Sequence, residues 1–246
     1  MLSKVEIIKY QKNFFNIWPP KHCYFLNGWI LAFTGGKTGR SNSVLAVDYY
    51  GVNVDSDIEF VESVYEQQNL PVRFKLSECL NPPELEEKLL ERNYIYSDYT
   101  IIAMGSENQK FPNQSNDKFH FKSSEVQTPE FMKFLDKFST ETTEDQQIMF
   151  EITQRIVIPK KCFISAKAGK IIVSSIMAIL DPQGAMYIAE LFVHPSYRRQ
   201  KLGLSLLTKA MKWGRDLGAT KYWLHVEKNN SSAITLYESL GFQIWY

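Results

Sequence analysis

The sequence predicts an α/β protein with mixed sheets, built from two similar domains, and three observations support this. The order helix, strand, helix, strand occurs over residues 57–103 and again over residues 204–246. A polar segment at 105–117 shows no hydrophobic periodicity, which is typical of a linker. An apolar strand at 185–193 leads through a basic turn into an amphipathic helix. We therefore expect one domain over residues 1–108 and a second over residues 118–246.

Composition limits the classes of partner. The net charge of +1 gives no reason to expect nucleic acid or an acidic membrane surface as a ligand. The longest apolar runs are too short to cross a membrane, and the first residues lack a signal segment. Cys23, Cys79 and Cys162 are odd in number and show no metal-ligand spacing, so we expect a reducing cytoplasm and no metal.

The N-terminal half reads as alternating helices and strands. The expected elements are a helix within 1–20, a strand at 23–33, a strand at 43–48, a helix at 57–65, a strand at 72–76, a helix opened by Pro83 and a strand at 96–103. A glycine-rich segment at 34–40 could be a phosphate loop, but it lacks the Walker spacing and no clear helix follows. A hairpin turn between strands is the better interpretation.

The C-terminal half begins with a further set of elements. The expected elements are a strand at 119–121, helices at 129–138 and 144–156, a hairpin at 162–166 and 171–180, and the strand at 185–193. After them come a helix at 204–217, a strand at 221–226, a helix at 231–240 and a last strand.

The strand that ends at Pro195 and the turn after it carry the clearest chemical signal. Strict alternation would place Ala189, Leu191 and Val193 on one face, and Glu190, Phe192 and His194 on the other. Three cationic residues follow, namely Arg198, Arg199 and Lys201, and then Gly203 opens the next helix. A helix start has unpaired N–H groups and binds anions, so the basic turn predicts a phosphate or pyrophosphate ligand. A solvated charged turn is the alternative.

This stretch resembles the cofactor loop of the GNAT acetyltransferase superfamily, in the form Arg198-Arg-Gln-Lys201-Leu-Gly203. Lys201 stands where the family has its first glycine. The resemblance implies that the coenzyme A pyrophosphate is held by Arg198, Arg199, Gln200, Lys201, Leu202, Gly203 and Leu204. It also implies that Leu191, Phe192 and Val193 lie along the pantetheine arm, where backbone groups pair with it as with an added strand.

A second segment resembles the family's last helix, with Asn230, Ala233 and Tyr237 followed by Gly241-Phe242. The resemblance implies that Tyr237 protonates the leaving thiolate and that Asn230 and Ala233 lie at the cofactor. Spacing alone allows Tyr237 to be an ordinary core aromatic residue. Asn230 also has the position of a helix cap.

In related enzymes a carboxylate on the strand that ends at Pro195 can take a proton from the amine, directly or through water, so the resemblance implies this role for Glu190. The chemistry needs such a base because an ammonium has no lone pair for attack. A surface or salt-bridged glutamate is an equally good interpretation. Glu227 is a weaker candidate for the same role. His194 and His225 show no ligand pattern, and we interpret both as structural.

Taken together, the resemblance implies an acetyl-CoA-dependent N-acetyltransferase, an acyltransferase in which a primary amine attacks the thioester directly. The acceptor would be a small-molecule or peptide amine, and the sequence leaves its identity and the oligomeric state open. No segment between Leu45 and Ile58 resembles the basic turn, so the first domain is expected to be a degenerate GNAT-like domain. A non-catalytic acyl-CoA-binding or regulatory protein is the alternative.

Overall fold

The computed structural model describes residues 2–35, 38–97, 101–106, 118–138 and 143–246. In chain order the elements are α1 (Lys4–Ile17), β1 (His22–Leu26), β2 (Trp29–Phe33), β3 (Val44–Leu45), α2 (Val54–Gln67), β4 (Phe74–Lys75), α3 (Leu85–Glu91), β5 (Ile101–Ser106), β6 (His120–Ser124), α4 (Pro129–Phe138), α5 (Thr143–Gln154), β7 (Lys161–Ala168), β8 (Ile171–Leu180), β9 (Ala185–Val193), α6 (Leu202–Asp216), β10 (Lys221–Glu227), α7 (Ser231–Ser239) and β11 (Gln243–Ile244). The expected α/β class is confirmed, and so is the expected order of elements except at 23–33.

The chain forms two compact units. The N-terminal unit consists of Leu2–Asp98 and Glu141–Val157, and the C-terminal unit consists of Tyr99–Thr140 and Ile158–Tyr246. Two elements therefore lie outside the domain expected for them, since β5 belongs to the C-terminal unit and α5 to the N-terminal one. Most of the expected linker, residues 107–117, lies outside the described residues.

The N-terminal unit contains a four-stranded sheet in the order β1-β2-β3-β4. Strands β3 and β4 are parallel and α2 connects them. The connection is long enough for the crossover of a βαβ unit. The apolar face of α2 packs on this sheet through Ile58, Val61 and Tyr65, all fully buried. Helix α1 begins at a capping box, in which Ser3 and Glu6 satisfy each other's main-chain N–H groups.

The single strand expected at 23–33 is wrong, because the structure has two antiparallel strands there. Asn27 and Gly28 form the two-residue turn between them, with φ of 47° and 95°. An Asn-Gly pair is the strongest short hairpin signal, since both residues tolerate positive φ. The hairpin interpretation of the glycine-rich segment that follows is confirmed, because it joins the antiparallel strands β2 and β3.

The C-terminal unit is organised by a seven-stranded sheet in the order β11-β5-β10-β9-β8-β7-β6. Only β9 and β10 are parallel neighbours, and α6 makes the crossover between them. Helices α6 and α7 bury their apolar sides against one face of this sheet. Helix α4 lies on the other face, where Phe131 contacts Phe163 and Phe134 contacts Phe192, with ring centroids 5.7 and 5.6 Å apart.

Strand β5 pairs with β10 and β11, although the sequence suggests that it closes the first domain. Ile102 and Met104 of β5 are buried in the core beneath α6 and α7. Its other face carries Gly105, where an added Cβ would lie 2.0 Å from the Trp245 ring. The apolar pattern of β5 predicts a strand correctly, but pairing with a strand more than a hundred residues away leaves no local signal.

Among the helices of the described segments, none is both long and apolar enough to cross a bilayer. Within the same segments, no three His, Cys, Asp or Glu side chains come together as metal ligands.

Candidate active site

The parallel strands β9 and β10 separate at their carboxyl ends. Their pairing runs from Ala185 and Lys221 to Ile188 and Leu224, and stops there. Strand β9 continues to Val193 and β10 to Glu227, although no further pairs join them in the described ladder. We call the opening between residues 189–193 and 225–227 the wedge. Carboxyl ends of neighbouring parallel strands are the usual place for a ligand in α/β folds.

A β-bulge sets the direction of β9 along the wedge. Ser175 pairs with Phe192 and Met177 with Ala189, so two residues of β9 face one residue of β8. Glu190 is the bulged residue and has a φ of 53°, in the left-handed region.

The bulge also changes which side chains share a face. Ile188 lies in the core beneath α6 and α7, and Leu191 and Val193 pack against that same core. The expected grouping of Ala189 with Leu191 and Val193 is therefore wrong, because an inserted residue reverses the alternation.

The main-chain groups of Leu191 and Val193 face the wedge. The amide of His194 donates to Val173 on β8 at 2.9 Å, and Phe192 is registered with Ser175 of β8. Neighbouring residues of a strand present their main-chain groups to opposite edges. Leu191 and Val193 therefore present theirs to the wedge, while the Phe192 ring contacts Phe134 on the α4 side.

The basic turn has a backbone conformation that favours glycine. Arg199 and Lys201 have φ of 62° and 61°, and Lys201 is the residue directly before α6. The left-handed region costs an L-residue roughly 1–2 kcal/mol, which explains why a glycine suits this position. Arg198 is exposed, and its Nε donates to the carbonyl oxygen of Val193 at 3.3 Å. That contact fixes the turn to the end of β9.

The start of α6 is suited to an anion. No side chain caps this helix and its first turn contains no acidic residue. The N–H groups of Leu202, Gly203 and Leu204 therefore stand at the positive end of the helix dipole, beside an exposed arginine pair. By contrast, Asn53 caps α2, because its side chain accepts a hydrogen bond from the amide of Ser56. The first turn of α2 also carries two aspartates, so that helix start disfavours an anion.

Gly203 allows three elements of the site to meet. A Cβ at this position would lie 3.3 Å from Leu236 of α7 and 3.7 Å from Val193 of β9. The absence of a side chain at Gly203 therefore allows α6 to approach α7 closely. Leu204 and Ala233 pack against the same core, so the start of α6, the end of β9 and α7 converge.

Tyr237 is 7% exposed and packs in this core, with its ring 5.9 Å from that of Phe242. Its hydroxyl makes no hydrogen bond within the described part of the chain. Burial raises the pKa of Tyr237 to about 12, so the phenol keeps its proton at neutral pH. Asn230 caps α7, since its side chain accepts from the amide of Ala233 at 3.2 Å, and this expected role is confirmed.

The two histidines of this region differ. The structural interpretation of His194 is confirmed, because its Nδ1 accepts from the amide of Ser196 at 3.1 Å. His225 is the first residue of β10 beyond the last pair, and its Nδ1 lies 3.3 Å from the Tyr187 hydroxyl. No motif marks this pair, because the two residues lie on different strands. Glu190, at the bulge, is half-buried.

Comparisons with known proteins agree with this geometry. Residues 127–242 match the family model described as the Acetyltransferase (GNAT) family. The chain is 25% identical over 235 residues to the uncharacterized N-acetyltransferase YobR of Bacillus subtilis, covering 92% of this chain and 90% of that protein. It is 35% identical over 126 residues to the human N-alpha-acetyltransferase 30, covering 48% of this chain and only 33% of that protein.

Among solved structures, the chain is similar to a GCN5-related N-acetyltransferase from Kribbella flavida. The TM-score is 0.64 at 14% identity, and the match covers 97% of this chain and 91% of that one. Identity this low establishes a shared fold alone.

Proposed function

From the premise that this chain belongs to the GNAT superfamily of acyltransferases, we propose that it transfers an acetyl group from acetyl-CoA to a primary amine. The observation that carries the proposal is the wedge beside the uncapped start of α6. A strand-like arm can add to β9 there, while a phosphate lies at the helix start. The C-terminal unit supplies both features.

The residues of the wedge fit coenzyme A. Leu191 and Val193 present main-chain groups along one edge, at the spacing at which an extended arm pairs. The turn that follows brings Arg198 and Arg199 beside the first amides of α6, which suits a doubly charged pyrophosphate. Gln200 and Lys201 complete this exposed turn, and Leu202 places the first helical amide there.

The chemistry we propose needs little from the protein beyond position and proton transfer. Holding amine and thioester together replaces a bimolecular encounter by a fixed geometry. A main-chain N–H of β9, which we assign to Val193, stabilises the developing negative charge on the carbonyl oxygen. Tyr237, whose phenol stays protonated at neutral pH, supplies the proton to the leaving thiolate.

The N-terminal unit, we propose, is a GNAT-like counterpart that does not bind the cofactor. Both units contain two parallel strands joined by one helix, β3-α2-β4 in the first and β9-α6-β10 in the second. The start of α2 is capped by Asn53 and carries Asp55 and Asp57, so phosphate would meet negative charge there.

Turnover with a panel of amines tests the proposal. The protein is incubated with acetyl-CoA and one of four amines: a tetrapeptide with an N-terminal alanine, lysine, spermidine or an aminoglycoside. The panel includes a peptide because one relative is named an N-alpha-acetyltransferase. We expect release of free thiol together with a product heavier by one acetyl group.

A parallel calorimetric titration with acetyl-CoA separates the two functions that the sequence leaves open. Binding with no acetylated product from any amine would favour an acyl-CoA-binding or regulatory protein. Absence of both binding and product would remove the wedge as a cofactor site.

A further inference from the structure

We infer that His225 accepts the proton of the acceptor amine, an inference that rests on the acetyl transfer proposed above. At the closed end of the wedge, the Tyr187 hydroxyl and Nδ1 of His225 form a hydrogen-bonded pair 3.3 Å apart. His225 follows directly on Leu224, the last residue of β10 that pairs with β9. The imidazole therefore stands where the two strands begin to separate.

The position of His225 on the sheet separates it from the proposed proton donor. Leu224 and Val226 are buried beneath α6 and α7, in the same core as Tyr237. Because side chains alternate along a strand, His225 projects to the opposite face. Tyr187 lies on that face as well, with its ring 5.8 Å from the imidazole. His225 and Tyr237 thus stand on opposite faces of the sheet at one opening.

The placement of His225 and Tyr237 on opposite faces of the sheet suits a reaction that needs both a base and an acid. An arm that adds to β9 lies between the two strands, so an amine can reach it from either face of the sheet. Helices α6 and α7 cover one face, together with Tyr237. The amine then arrives from the face of His225, beside helix α4, where a base within hydrogen-bond reach of the nitrogen can act.

Tyr187 acts as the residue that positions His225. Tyr187 is 2% exposed and contacts Trp223, with ring centroids 4.7 Å apart, so its hydroxyl is held in place. If Nδ1–H of His225 donates to the tyrosine oxygen, the lone pair lies on Nε2. A hydrogen bond to one imidazole nitrogen fixes which nitrogen carries the proton. In its neutral form the imidazole keeps this lone pair free to accept the ammonium proton.

The ammonium loses two protons during the transfer, one before the attack and one after it. His225 Nε2 removes one proton from the ammonium, and the freed nitrogen lone pair bonds to the acetyl carbon. As the carbon–sulfur bond breaks, the thiolate takes the hydroxyl proton of Tyr237. The new amide nitrogen loses a second proton, which restores the tyrosine through water. The net products are the acetylated amine, a free thiol and one proton carried by His225 to solvent.

Several other titratable groups lie around His225. Tyr187 contacts it from β9, and the Tyr246 ring lies 6.3 Å away. Glu227 is two residues on along the same face of β10, and Glu190 stands on the other side of the wedge. The facing strand β5 carries no ionisable side chain between Ile101 and Ser106.

The test compares His225→Gln with Tyr187→Phe and with His120→Gln, a control at an exposed histidine on β6. For the panel amine with the fastest turnover, we expect His225→Gln to lower kcat/KM by about 10²–10⁴-fold. The fall of wild-type kcat/KM on acidification, where a protonated imidazole cannot accept a proton, should disappear in that variant. Tyr187→Phe should lose less activity and keep the fall of kcat/KM on acidification, because His225 is still present. His120→Gln should match the wild type.

The outcomes distinguish this inference from the function on which it rests. Wild-type turnover with an unchanged rate and acidic limb in His225→Gln would overturn the inference and leave acetyl transfer standing. If no amine is acetylated, NMR of the imidazole resonances with coenzyme A alone tests whether His225 lies at the cofactor. The His225 resonance, assigned by its loss in His225→Gln, should shift while that of His120 does not. An unshifted His225 resonance at saturating coenzyme A would overturn the placement regardless of turnover.

Discussion

The hydroxyl of Ser174 donates a 2.6 Å hydrogen bond to the main-chain oxygen of Phe192. Ser175, the next residue, makes a longer contact of 3.4 Å with the main-chain oxygen of Glu190. Both serines are fully buried, and every other residue of β8 is apolar. Two hydroxyl groups thus support the bulged segment of β9 from the neighbouring strand. The bulge in turn presents Leu191 and Val193 to the wedge.

Ser174→Ala tests whether this support matters for binding. Removing one buried donor should lower the free energy of unfolding by about 1 kcal/mol. Because the bulge then loses a tether, acetyl-CoA affinity should fall by roughly three- to tenfold, or up to about 1.4 kcal/mol. Chemical denaturation and calorimetry measure the two quantities. Ser63→Ala is the control for removing a serine hydroxyl away from the site, since its exposed hydroxyl donates to the Phe60 carbonyl at 2.8 Å in the N-terminal unit. Lower stability with unchanged affinity would limit Ser174 to a structural role.

Arg198→Ala should weaken acetyl-CoA binding by about 1.5–3 kcal/mol, the usual contribution of a hydrogen bond to a charged group. Arg198 also tethers the turn to the Val193 carbonyl, so its loss should exceed that of Arg199→Ala. Raising the salt concentration should reduce the difference between wild type and variants, because exposed charges are screened. If neither substitution changes the affinity, the basic turn is not part of the site.

Lys201→Gly and Lys201→Ala separate the charge of this residue from its backbone conformation. Both remove the charge, but only glycine relieves the φ of 61°. Lys201→Gly should therefore be more stable than Lys201→Ala by about 1 kcal/mol. The two variants should bind acetyl-CoA alike if the lysine contributes charge alone. Higher affinity in the glycine variant would show that the backbone conformation limits binding.

Tyr237→Phe keeps the ring in the core and removes only the hydroxyl. A general acid contributes roughly 10²–10⁴-fold, and we expect a smaller loss in kcat, about ten- to a hundredfold. A thiol with a pKa of about 8.5 is already a tolerable leaving group, which is the reason for the smaller effect. Stability and acetyl-CoA affinity should hardly change, since the hydroxyl makes no hydrogen bond in the described chain.

Tyr222→Phe is the matched control for this substitution. Burial also raises the pKa of Tyr222 to about 12, but its hydroxyl donates to the Met211 carbonyl at 3.0 Å. Its loss should cost about 1 kcal/mol of stability and leave kcat unchanged. A reversed pattern, with Tyr237→Phe unstable and fully active, would return Tyr237 to the core as a structural residue.

Local patterns in the sequence determined most of the elements and the position of the cofactor turn. The period of apolar residues predicted the helices and strands of the C-terminal unit, and these predictions are confirmed. The charges at Arg198 and Arg199 beside a helix start predicted the anion site, which remains a prediction for binding. Asn230 was identified as a helix cap because capping depends on neighbours only a few residues away.

Only the tertiary structure decided the features that depend on distant pairing. The bulge at Glu190 arises from pairing with β8, and it reversed the face expected for Ala189. Strand β5 joins the C-terminal sheet although its sequence position suggests the other domain. Tyr187 and His225 meet because β9 and β10 are neighbours, which no spacing along the chain reveals. Side-chain periodicity reports which faces are buried, while the choice of partner strand depends on packing over the whole sheet.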